Sequence, residues 1–515
     1  MNGAESLVRT LLNGDVNVCF ANPGTSEMHF VSALDRVEGV RCILGLFEGV
    51  VTGAADGYYR IAGKPAATLL HLGPGLGNGL ANLHNAKKAR SGIVNIVGEH
   101  AGYHIQYDAP LTSDIEGVAR PMSDWVKTSH SSQTIAADGA LAIQAARTAP
   151  GQIATLILPA DTAWGEADGP AEVAQPTPRA AVSSDAIAAG VRALKNGKSS
   201  MLLLGNAALR GKALDWAARI AAKTGCGLMS EFGNARIERG AGRAPVRQLP
   251  FVVDNALAML KDTRQLVLVG SKLPVSFFAY PGKPSVLVPT GCDVIKVAGA
   301  EADLEGTLEA LADELGARNS APLANTPGYN GALPTGNITL EGLGAFFNAM
   351  IPENAIVLDE AVTSGRAFTG ATMGARPHDW MNIMGGSIGW GLAAAVGAAI
   401  AAPDRKVIAL EGDGSAMYTQ QALWTMAREN LDVTIVIFAN RAYKILLGEL
   451  ANVGAGIPGR NANDMLTLDR PNLDWLMIAK GYGVEAGRAT TLDELAVQFK
   501  RGLDTAGPYL VELVM

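Results

Sequence analysis

Two short apolar runs in the last third of the chain place the strongest constraint on its fold. Residues 406–410 (KVIAL) and 433–438 (VTIVIF) have the length of strands, and a helix-compatible segment, residues 416–429, separates them. A continuous apolar run of this length is typical of a strand that is buried on both faces of a parallel sheet. The pattern therefore predicts a strand–helix–strand unit with helices covering the sheet.

The residues that follow these two strands predict a site for a phosphorylated ligand and a metal ion. Asp413 lies between Gly412 and Gly414 at a strand-to-helix turn, and Asn440 follows the second strand. Backbone N–H groups at such a turn bind phosphate, but the carboxylate repels it unless a cation bridges the two. Oxygen atoms of Asp413, of Asn440 and of a nearby backbone carbonyl, assigned to Ala442, suit Mg²⁺. The alternative is a structural glycine turn.

The same alternation of apolar runs and helical patterns continues through the whole chain. Segments rich in Pro, Ala and Gly at about 163–184 and 317–337 divide it, which predicts domains at residues 1–165, 185–316 and 338–515. We therefore expect an α/β fold of three doubly wound parallel-sheet domains. The predicted strands are residues 16–20, 41–46, 67–72, 93–97, 201–204, 265–269, 285–288, 355–358, 406–410, 433–438 and 509–513.

Composition narrows the partners and the location. The 515 residues carry a net charge of −7 without a basic cluster, so neither nucleic acid nor a membrane surface is an expected partner. The chain shows neither a signal peptide nor an apolar run of membrane-spanning length, which favours a cytoplasmic location. The cysteines lack CxxC spacing and are predicted to be reduced core thiols; they are Cys19, Cys42, Cys226 and Cys292.

Polar residues also follow three predicted strands of the first domain. Thr25, Glu48 and His71 supply a hydroxyl, a carboxylate and an imidazole at the edge where ligands bind in doubly wound sheets. Glu48 lies between an apolar strand and a helix rich in small residues, and it is the best candidate for acid–base chemistry. A helix-capping role for Glu48 and a structural role for His71 are the alternatives.

These motifs together resemble a known family. Glu48 begins a small-residue helix that ends in Asp56-Gly57-Tyr58-Tyr59-Arg60, and Gly412-Asp413-Gly414 with Asn440 follows in the last domain. The combination resembles the thiamine diphosphate enzymes of the acetolactate synthase and benzoylformate decarboxylase group. The resemblance covers most of the first and last domains and implies pyrimidine-binding, central and diphosphate-binding domains. It also implies a homodimer or homotetramer with the cofactor at the subunit interface.

The resemblance implies roles for individual residues. Glu48 would hydrogen-bond the pyrimidine ring and activate the cofactor, with His71 and Thr25 as further catalytic residues. In Gly385-Gly386-Ser387-Ile388-Gly389, Ile388 matches the apolar side chain that supports the bent cofactor. The implied metal ligands are Asp413, Asn440 and Ala442, and the implied cofactor-binding residues are Glu48, Gly386, Ile388, Gly412, Asp413, Gly414, Ser415 and Asn440.

The implied reaction is decarboxylation of a 2-oxo acid with carboligation to a second carbonyl; the alternative is a decarboxylase that does not ligate. Glu449 stands where acetolactate synthases usually carry a tryptophan, and Pro110 and Leu111 replace a phenylalanine and a glutamine. Thr25 and His71 match benzoylformate decarboxylases. His100 and His104 are possible substitutes for the second histidine of those enzymes, which lacks a counterpart here.

The sequence also bears on a flavin cofactor and on other classes of function. Several acetolactate synthase relatives hold FAD, but residues 267–285, with Lys272, replace their arginine and aspartate pattern, so we expect FAD to be absent. The run Gly75-Leu76-Gly77-Asn78-Gly79 suggests a flavin or nicotinamide oxidoreductase, although its spacing differs from a dinucleotide fingerprint. An inactive binding protein is a further alternative, which the presence of Glu48 disfavours.

Overall fold

A computed structural model of the chain describes residues 1–329 and 331–515. Within these residues the strands form three sheets, and helices cover them. The predicted α/β class with three doubly wound, mainly parallel sheets is confirmed. The exact domain boundaries remain predictions.

The first sheet has the strand order β2-β1-β3-β4-β6-β5, and its neighbouring strands are all parallel. Its apolar strands lie between helices on both faces, as expected for buried parallel strands. Its elements are α1 (Gly3–Asn13), β1 (Val18–Asn22), α2 (Met28–Arg36), β2 (Arg41–Leu44), α3 (Glu48–Ala62), β3 (Ala66–Leu70), α4 (Leu72–Ala89), β4 (Ile93–Glu99), α5 (Ile115–Ala119), β5 (Trp125–Thr128), α6 (Ile135–Arg147), β6 (Ile153–Pro159) and α7 (Ala160–Trp164).

The second sheet has the parallel order β10-β8-β7-β11-β12. The elements of this part of the chain are α8 (Ser184–Leu194), β7 (Ser200–Leu204), α9 (Gly211–Thr224), β8 (Gly227–Ser230), β9 (Ile237–Arg239), β10 (Arg247–Gln248), α10 (Val253–Leu260), β11 (Gln265–Val269), β12 (Asp293–Ala298) and α11 (Leu304–Glu314). β9 does not join this sheet. It pairs instead with β14 of the third sheet, so this middle part of the chain supplies the edge strand of the third sheet.

The third sheet has the order β17-β18-β16-β15-β13-β14-β9, in which only β9 is antiparallel to its neighbour among the described strands. Its elements are α12 (Leu340–Met350), β13 (Ile356–Glu360), α13 (Phe368–Ala371), β14 (His378–Asn382), α14 (Gly391–Ala401), β15 (Val407–Gly412), α15 (Asp413–Ala416), α16 (Ala422–Arg428), β16 (Val433–Ala439), α17 (Lys444–Asn452), α18 (Arg460–Leu466), α19 (Trp475–Gly481), β17 (Glu485–Ala489), α20 (Leu492–Asp504) and β18 (Tyr509–Val514).

The first and third sheets share one topology. If β9 is set aside, the order 2-1-3-4-6-5 of the first sheet recurs in the third as 14-13-15-16-18-17. The strand order reverses between β1 and β3 in the first sheet and between β13 and β15 in the third. Ligands of doubly wound sheets bind at such switch points. Each sheet therefore provides one place for a ligand at its carboxyl edge.

Helices α3 and α14 hold equivalent positions in these two sheets and pack against each other. Glycines bring them close: a Cβ atom at Gly57 would overlap the carbonyl of Ala394, and a Cβ atom at Gly397 would overlap that of Ala54. Both helices contribute side chains to one buried apolar cluster. The small residues of α3 are therefore required by a helix–helix contact between the first and third sheets.

Two predicted elements differ from the structure. Residues 285–288 were predicted as a strand but form only a single bridge, Val275 to Val286, and Val286 is exposed. The edge position of that sheet is taken by β12. The predicted helix at 416–429 is interrupted between α15 and α16. Strands absent from the sequence-based prediction are β5, β6, β8, β9, β10, β12, β14 and β17.

The cysteines are reduced, as predicted, but they are not all in the core. Cys19 and Cys226 are buried, whereas Cys42 is exposed. β2 is an edge strand, and its outer residues face solvent in this chain. Among the described helices, none combines the length and the apolar character that crossing a membrane would require.

Candidate active site

Asp413 and Asn440 lie at the carboxyl ends of two neighbouring strands, β15 and β16, where Gly412 is paired with Phe438. The Asp413 carboxylate is buried and accepts hydrogen bonds from the backbone N–H groups of Gly414 at 2.9 Å and Arg441 at 2.6 Å. Burial raises the pKa of Asp413, and these N–H groups oppose that rise. The turn after β15 is thus tied directly to the turn after β16.

The oxygen atoms at this edge fit a hard divalent cation. Asn440 Oδ1 accepts the N–H of Ala442 at 3.1 Å, which holds the amide beside the Asp413 turn. Each oxygen of these side chains retains a lone pair, and Ala442 adds a backbone carbonyl, so the donor set is the all-oxygen type that Mg²⁺ prefers. The described residues hold no cluster of three or more His, Cys, Asp or Glu that would bind a softer metal.

Glycine is required beside Asp413. A Cβ atom at Gly414 would lie 2.5 Å from Cε1 of Tyr443, so any larger residue would displace that ring. Ser415 is buried in the same short helix, α15. The predicted cofactor-binding residues Gly412, Gly414 and Ser415 therefore form one compact turn around Asp413.

The loop that carries Ile388 is held by a network of hydrogen bonds from α4. Asn85 accepts the N–H groups of Gly385 at 3.1 Å and Ser387 at 3.2 Å, and it donates to the Ser387 carbonyl at 2.7 Å. Gly386 has φ +73° and is exposed, a conformation that glycine adopts readily. Ile388 is half-buried in this fixed loop. Helix α4, which covers the first sheet, therefore positions Ile388, which lies in a loop of the third sheet.

Two carboxyl groups lie beneath the same loop. Glu360 Oε1 and Oε2 accept the N–H groups of Gly389 at 2.7 Å and Gly391 at 2.5 Å, and Glu360 is paired in register with Glu411 on the next strand. Burial raises the pKa of Glu360 to about 7. Glu411 is fully buried, and neither of its carboxyl oxygens has a hydrogen-bond partner among the described residues. Burial and the charge of Glu360 raise the pKa of Glu411.

Glu48 is the first residue of α3 and is 8% exposed. Its Oε2 atom accepts a hydrogen bond from Asn78 at 3.0 Å, and a Cβ atom at Gly75 would lie 3.2 Å from its Oε1 atom. Asn82 of α4 donates both to the Gly49 carbonyl at 2.8 Å and to the Gly389 carbonyl at 3.2 Å. The start of α3, with Glu48, is therefore fixed close to the loop that carries Ile388.

The Asp56-to-Arg60 motif is explained by a buried polar network. Asp56 accepts two hydrogen bonds from Arg60, at 2.9 and 2.6 Å, one from Ser91 at 2.5 Å, and one from the Trp390 indole at 2.7 Å. Arg60 also donates to the Asn382 carbonyl at 2.8 Å. A buried charge needs such partners. The motif joins the first and third sheets and does not contact the predicted site.

His71 and Thr25 lie at the switch point of the first sheet. His71 Nδ1 is 2.8 Å from Glu27 Oε2, which also accepts the Gly24 N–H at 2.7 Å. Because Glu27 is an acceptor, Nδ1 is assigned as the protonated nitrogen. Burial raises the pKa of Glu27, and the Gly24 N–H and His71 oppose that rise. Thr25 is exposed beside this pair. Glu27 is not recognisable from the sequence, because its partner His71 lies 44 residues away.

Two further histidines follow β4 at the same edge. The rings of His100 and His104 are 5.6 Å apart, and His100 Nε2 is buried with no hydrogen-bond partner among the described residues. Burial and the charges of His104 and His71 lower the pKa of His100. Glu99, which accepts the His100 N–H at 2.7 Å, is also buried. His100 therefore lies near His71, and His104 contacts His100.

Glu449 lies on α17 and contacts the part of the chain that follows β11. Burial, together with the neighbouring Glu449 carboxylate, raises the pKa of Tyr280 to about 12. From the same segment, Phe277 contacts Gly386: a Cβ atom there would lie 2.8 Å from Phe277 Cζ. Residues 277–280 therefore cover the third sheet's loops.

The remaining residues that the sequence analysis named lie outside these groups or in loops. Pro110 is exposed and Leu111 half-buried, in the loop before α5. Lys272 is exposed, and its N–H donates to Glu231 at 2.7 Å. The glycines at 75–79 lie inside α4, so they do not form the strand-to-helix turn of a dinucleotide site.

Comparison with known proteins defines the class. A family model described as the thiamine pyrophosphate enzyme N-terminal TPP binding domain matches residues 1–119, and the corresponding C-terminal TPP binding domain matches residues 366–513. The chain belongs to this family of thiamine diphosphate-dependent enzymes. The resemblance drawn from the sequence is confirmed.

Individual relatives match over the whole chain. A Mycobacterium tuberculosis protein, provisionally named acetolactate synthase large subunit IlvX, is 51% identical over 100% of this chain and 99% of its own length. The benzoylformate decarboxylase of Pseudomonas aeruginosa is 31% identical over 96% of this chain and 95% of its own length. A solved structure, the thiamine diphosphate-dependent 4-hydroxybenzoylformate decarboxylase of Rhodococcus jostii RHA1, has a TM-score of 0.87 at 26% identity, covering 100% and 99% of the two chains.

Proposed function

We propose that this enzyme uses thiamine diphosphate and Mg²⁺ to decarboxylate a 2-oxo acid and to join the remaining acyl unit to a second carbonyl. The observation that carries the proposal is the position of Glu48, which is buried, hydrogen-bonded by Asn78 and fixed near the loop of Ile388. Thiamine diphosphate held here would supply the nucleophilic carbon and the electron sink that decarboxylation of a 2-oxo acid requires.

Each side chain has a definable task in this proposal. Glu48 exchanges a proton with a pyrimidine ring nitrogen, and Asn78 orients its carboxyl group. Asp413, Asn440 and the Ala442 carbonyl hold Mg²⁺ against the diphosphate, with Asp413 kept in place by two backbone N–H groups. Ile388 would support the bound cofactor from a loop that Asn85 holds in place.

A second candidate is a decarboxylase that releases an aldehyde without ligation. The Glu27–His71 pair favours it, because an imidazole fixed at Nδ1 leaves Nε2 available to move a proton at the substrate. Thr25 adds a hydroxyl at the same edge. Glu449, Pro110 and Leu111 differ from the residues that acetolactate synthases carry. The relatives at 51% and 31% identity bear the names of the two alternatives.

We also propose an oligomeric state for the enzyme, a cellular location, and that it lacks a flavin. A homodimer or homotetramer, with each cofactor between two chains, fits the exposure of apolar side chains near the site: Leu46, Tyr107 and Ile457 are 43%, 69% and 95% exposed. In the described chain, Glu48 makes no hydrogen bond or ion pair with Asp413 or Asn440. We place the enzyme in the cytoplasm and expect it to lack FAD.

Product analysis tests the proposal. Purified enzyme with thiamine diphosphate and Mg²⁺ is incubated with pyruvate or with benzoylformate, and products are identified by NMR. Carboligation predicts a hydroxyketone or a hydroxy-oxo acid, and the second candidate predicts an aldehyde alone. A Glu48→Gln variant is the matched control and should give neither. Equal product from wild type and variant would contradict both candidates.

A further inference from the structure

Four phenylalanine rings converge at the carboxyl edge of the second sheet. Phe232 follows β8, Phe251 follows β10, and Phe277 and Phe278 follow β11. The ring centroids of Phe232 and Phe251 are 5.2 Å apart, and both rings contact Phe277, at 5.9 and 5.4 Å. Phe278 lies 4.8 Å from Phe277. Three separate loops thus build one group of interacting rings, the phenylalanine cluster.

The phenylalanine cluster is only partly buried. Phe232, Phe277 and Phe278 are 38%, 44% and 53% exposed. Single exposed apolar side chains are ordinary, whereas a contiguous exposed apolar group marks a place where another molecule binds. The exposed faces of these rings are therefore a candidate binding surface.

The cluster lies against the loop that carries Ile388. A Cβ atom at Gly386 would lie 2.8 Å from Cζ of Phe277. A Cβ atom at Gly233, the residue after the first ring of the cluster, would lie 3.3 Å from Sδ of Met384. Met384 and Gly386 both precede Ile388 in the same loop. The apolar surface is therefore continuous with a part of the proposed active site.

The segment that follows β11 also reaches α17, the helix after the Asn440 turn. Tyr280 of this segment neighbours the Glu449 carboxylate of α17. Residues 277–280 therefore connect the loop of Ile388 with a helix that follows the proposed metal ligands. The phenylalanine cluster is bounded by two parts of the proposed site.

The chemistry of the rings limits what they can hold. A phenyl ring offers neither a full charge nor a strong hydrogen bond, so a polar group placed against it loses hydration without replacement. A large apolar group gains free energy by leaving water, and an aromatic group adds edge-to-face contacts with the rings already present. A methyl group is too small to cover the exposed faces.

The inference rests on the proposed function, in which a 2-oxo acid reacts beside the loop of Ile388. We propose that the phenylalanine cluster determines the specificity of this enzyme: it holds the side chain of the 2-oxo acid and favours a large apolar side chain over a methyl group. Two kinds of side chain share this chemistry, an aromatic ring and a branched aliphatic chain.

Kinetics of the enzyme loaded with thiamine diphosphate and Mg²⁺ test the proposal. Pyruvate, 4-methyl-2-oxopentanoate and benzoylformate differ only in the side chain. We expect kcat/KM for one of the two larger acids to exceed that for pyruvate at least about tenfold, since a single methylene in an apolar pocket changes specificity by roughly 10- to 200-fold. The better of the two identifies the side chain as branched or aromatic. A value for pyruvate equal to or above both would overturn the proposal.

A variant assigns this preference to the cluster. Phe278→Ala should lower the ratio of kcat/KM for the preferred larger acid to kcat/KM for pyruvate at least about tenfold. Phe278 is 53% exposed, so its replacement should leave the fold intact. Leu141→Ala, which removes a side chain that is 45% exposed on α6, should keep the wild-type ratio. An unchanged ratio in Phe278→Ala would overturn the proposal.

Binding of unreactive analogues separates the cluster from the reaction. Lactate, 2-hydroxy-4-methylpentanoate and mandelate carry the same three side chains, with a hydroxyl group in place of the reacting carbonyl. By calorimetry, one of the larger acids should bind the loaded wild-type enzyme at least about tenfold more tightly than lactate, and Phe278→Ala should lose this difference. This result would support the cluster even if no 2-oxo acid were turned over, an outcome that would contradict only the proposed function.

Two further results would overturn the proposal. Equal binding of all three hydroxy acids by the wild type would show that the cluster does not contact the side chain. Dissociation of the oligomer in Phe278→Ala, measured by light scattering, would assign the cluster to a contact between two copies of this chain.

Discussion

The imidazole of His71 lies against the carboxylate of Glu27, with 2.8 Å between Nδ1 and Oε2. The contact joins the residue after β3 to the short helix after β1, across the switch point of the first sheet. Because one side of the ring is fixed, its other nitrogen has one defined direction. This arrangement suits a group that moves a proton at a bound substrate.

Replacing Glu27 should lower turnover without weakening the cofactor. We expect Glu27→Gln and His71→Gln each to reduce kcat by about 10². The double variant should be little worse than either, because the residues act as a unit. Steady-state kinetics on the 2-oxo acid found by product analysis measures this, and exposed Glu38→Gln is the control. Strictly multiplicative losses would mean that the pair does not act together.

Removing the Asp413 carboxylate should abolish binding of thiamine diphosphate that depends on Mg²⁺. The loss should exceed the roughly 10- to 100-fold that a residue outside the coordination sphere typically costs. Calorimetry with and without Mg²⁺ measures it, and Asp404→Ala, an exposed acid near β15, serves as the control. Tight Mg²⁺-dependent binding by Asp413→Ala would exclude Asp413 as a metal ligand.

The Glu449–Tyr280 contact should influence the fate of the acyl unit. Glu449→Trp replaces the carboxylate with the residue type that acetolactate synthases usually carry, and we expect a higher ratio of ligated product to aldehyde. NMR of the product mixture measures the ratio. Glu449→Gln, which removes the charge but keeps the shape, separates charge from size. An unchanged ratio in both variants would place Glu449 outside the acceptor pocket.

Buried His378 should make the fold sensitive to acid. Burial and the charge of Arg239 lower the pKa of His378 to about 4, and its Nε2 atom has no hydrogen-bond partner among the described residues. A lowered pKa contributes stability above the unfolded value of about 6.5 that is lost as pH falls towards 4. Between pH 7 and pH 5 the loss should be about 2 kcal/mol.

His378→Phe should remove this part of the pH dependence. The aromatic ring contact with Trp380 is retained, since the two rings are 5.8 Å apart in the native chain. Urea unfolding at pH 7 and at pH 5 measures the difference, with exposed His130→Gln as the reference variant. An equal loss of stability in His378→Phe and wild type would show that another group titrates.

The sequence predicted the parts of the fold that depend on local pattern. Apolar runs such as 406–410 and 433–438 became β15 and β16, with Asp413 and Asn440 at their ends. Strand β9, only three residues long, was missed because it exists only by pairing with β14. Residues 285–288 show the opposite error: their apolar composition predicts a strand, but β12 occupies that edge.

The site was predictable where a residue lies in a motif and not where it depends on distant contacts. Glu48, Asp413 and Asn440 belong to motifs. Glu27, by contrast, is recognised through its contact with His71, 44 positions away, and the link from Asp56 to the third sheet depends on Trp390, 334 positions away. Such contacts form when separate elements pack, so a one-dimensional pattern does not contain them.

The most direct test of the account is the exchange of the reactive C2 proton of enzyme-bound thiamine diphosphate, followed by NMR in D₂O. We predict that Glu48→Gln slows this exchange at least about 100-fold. The Kd for thiamine diphosphate with Mg²⁺ should change by less than about tenfold, because the metal ligands are intact. Equal exchange rates in the two proteins would contradict the assignment of Glu48.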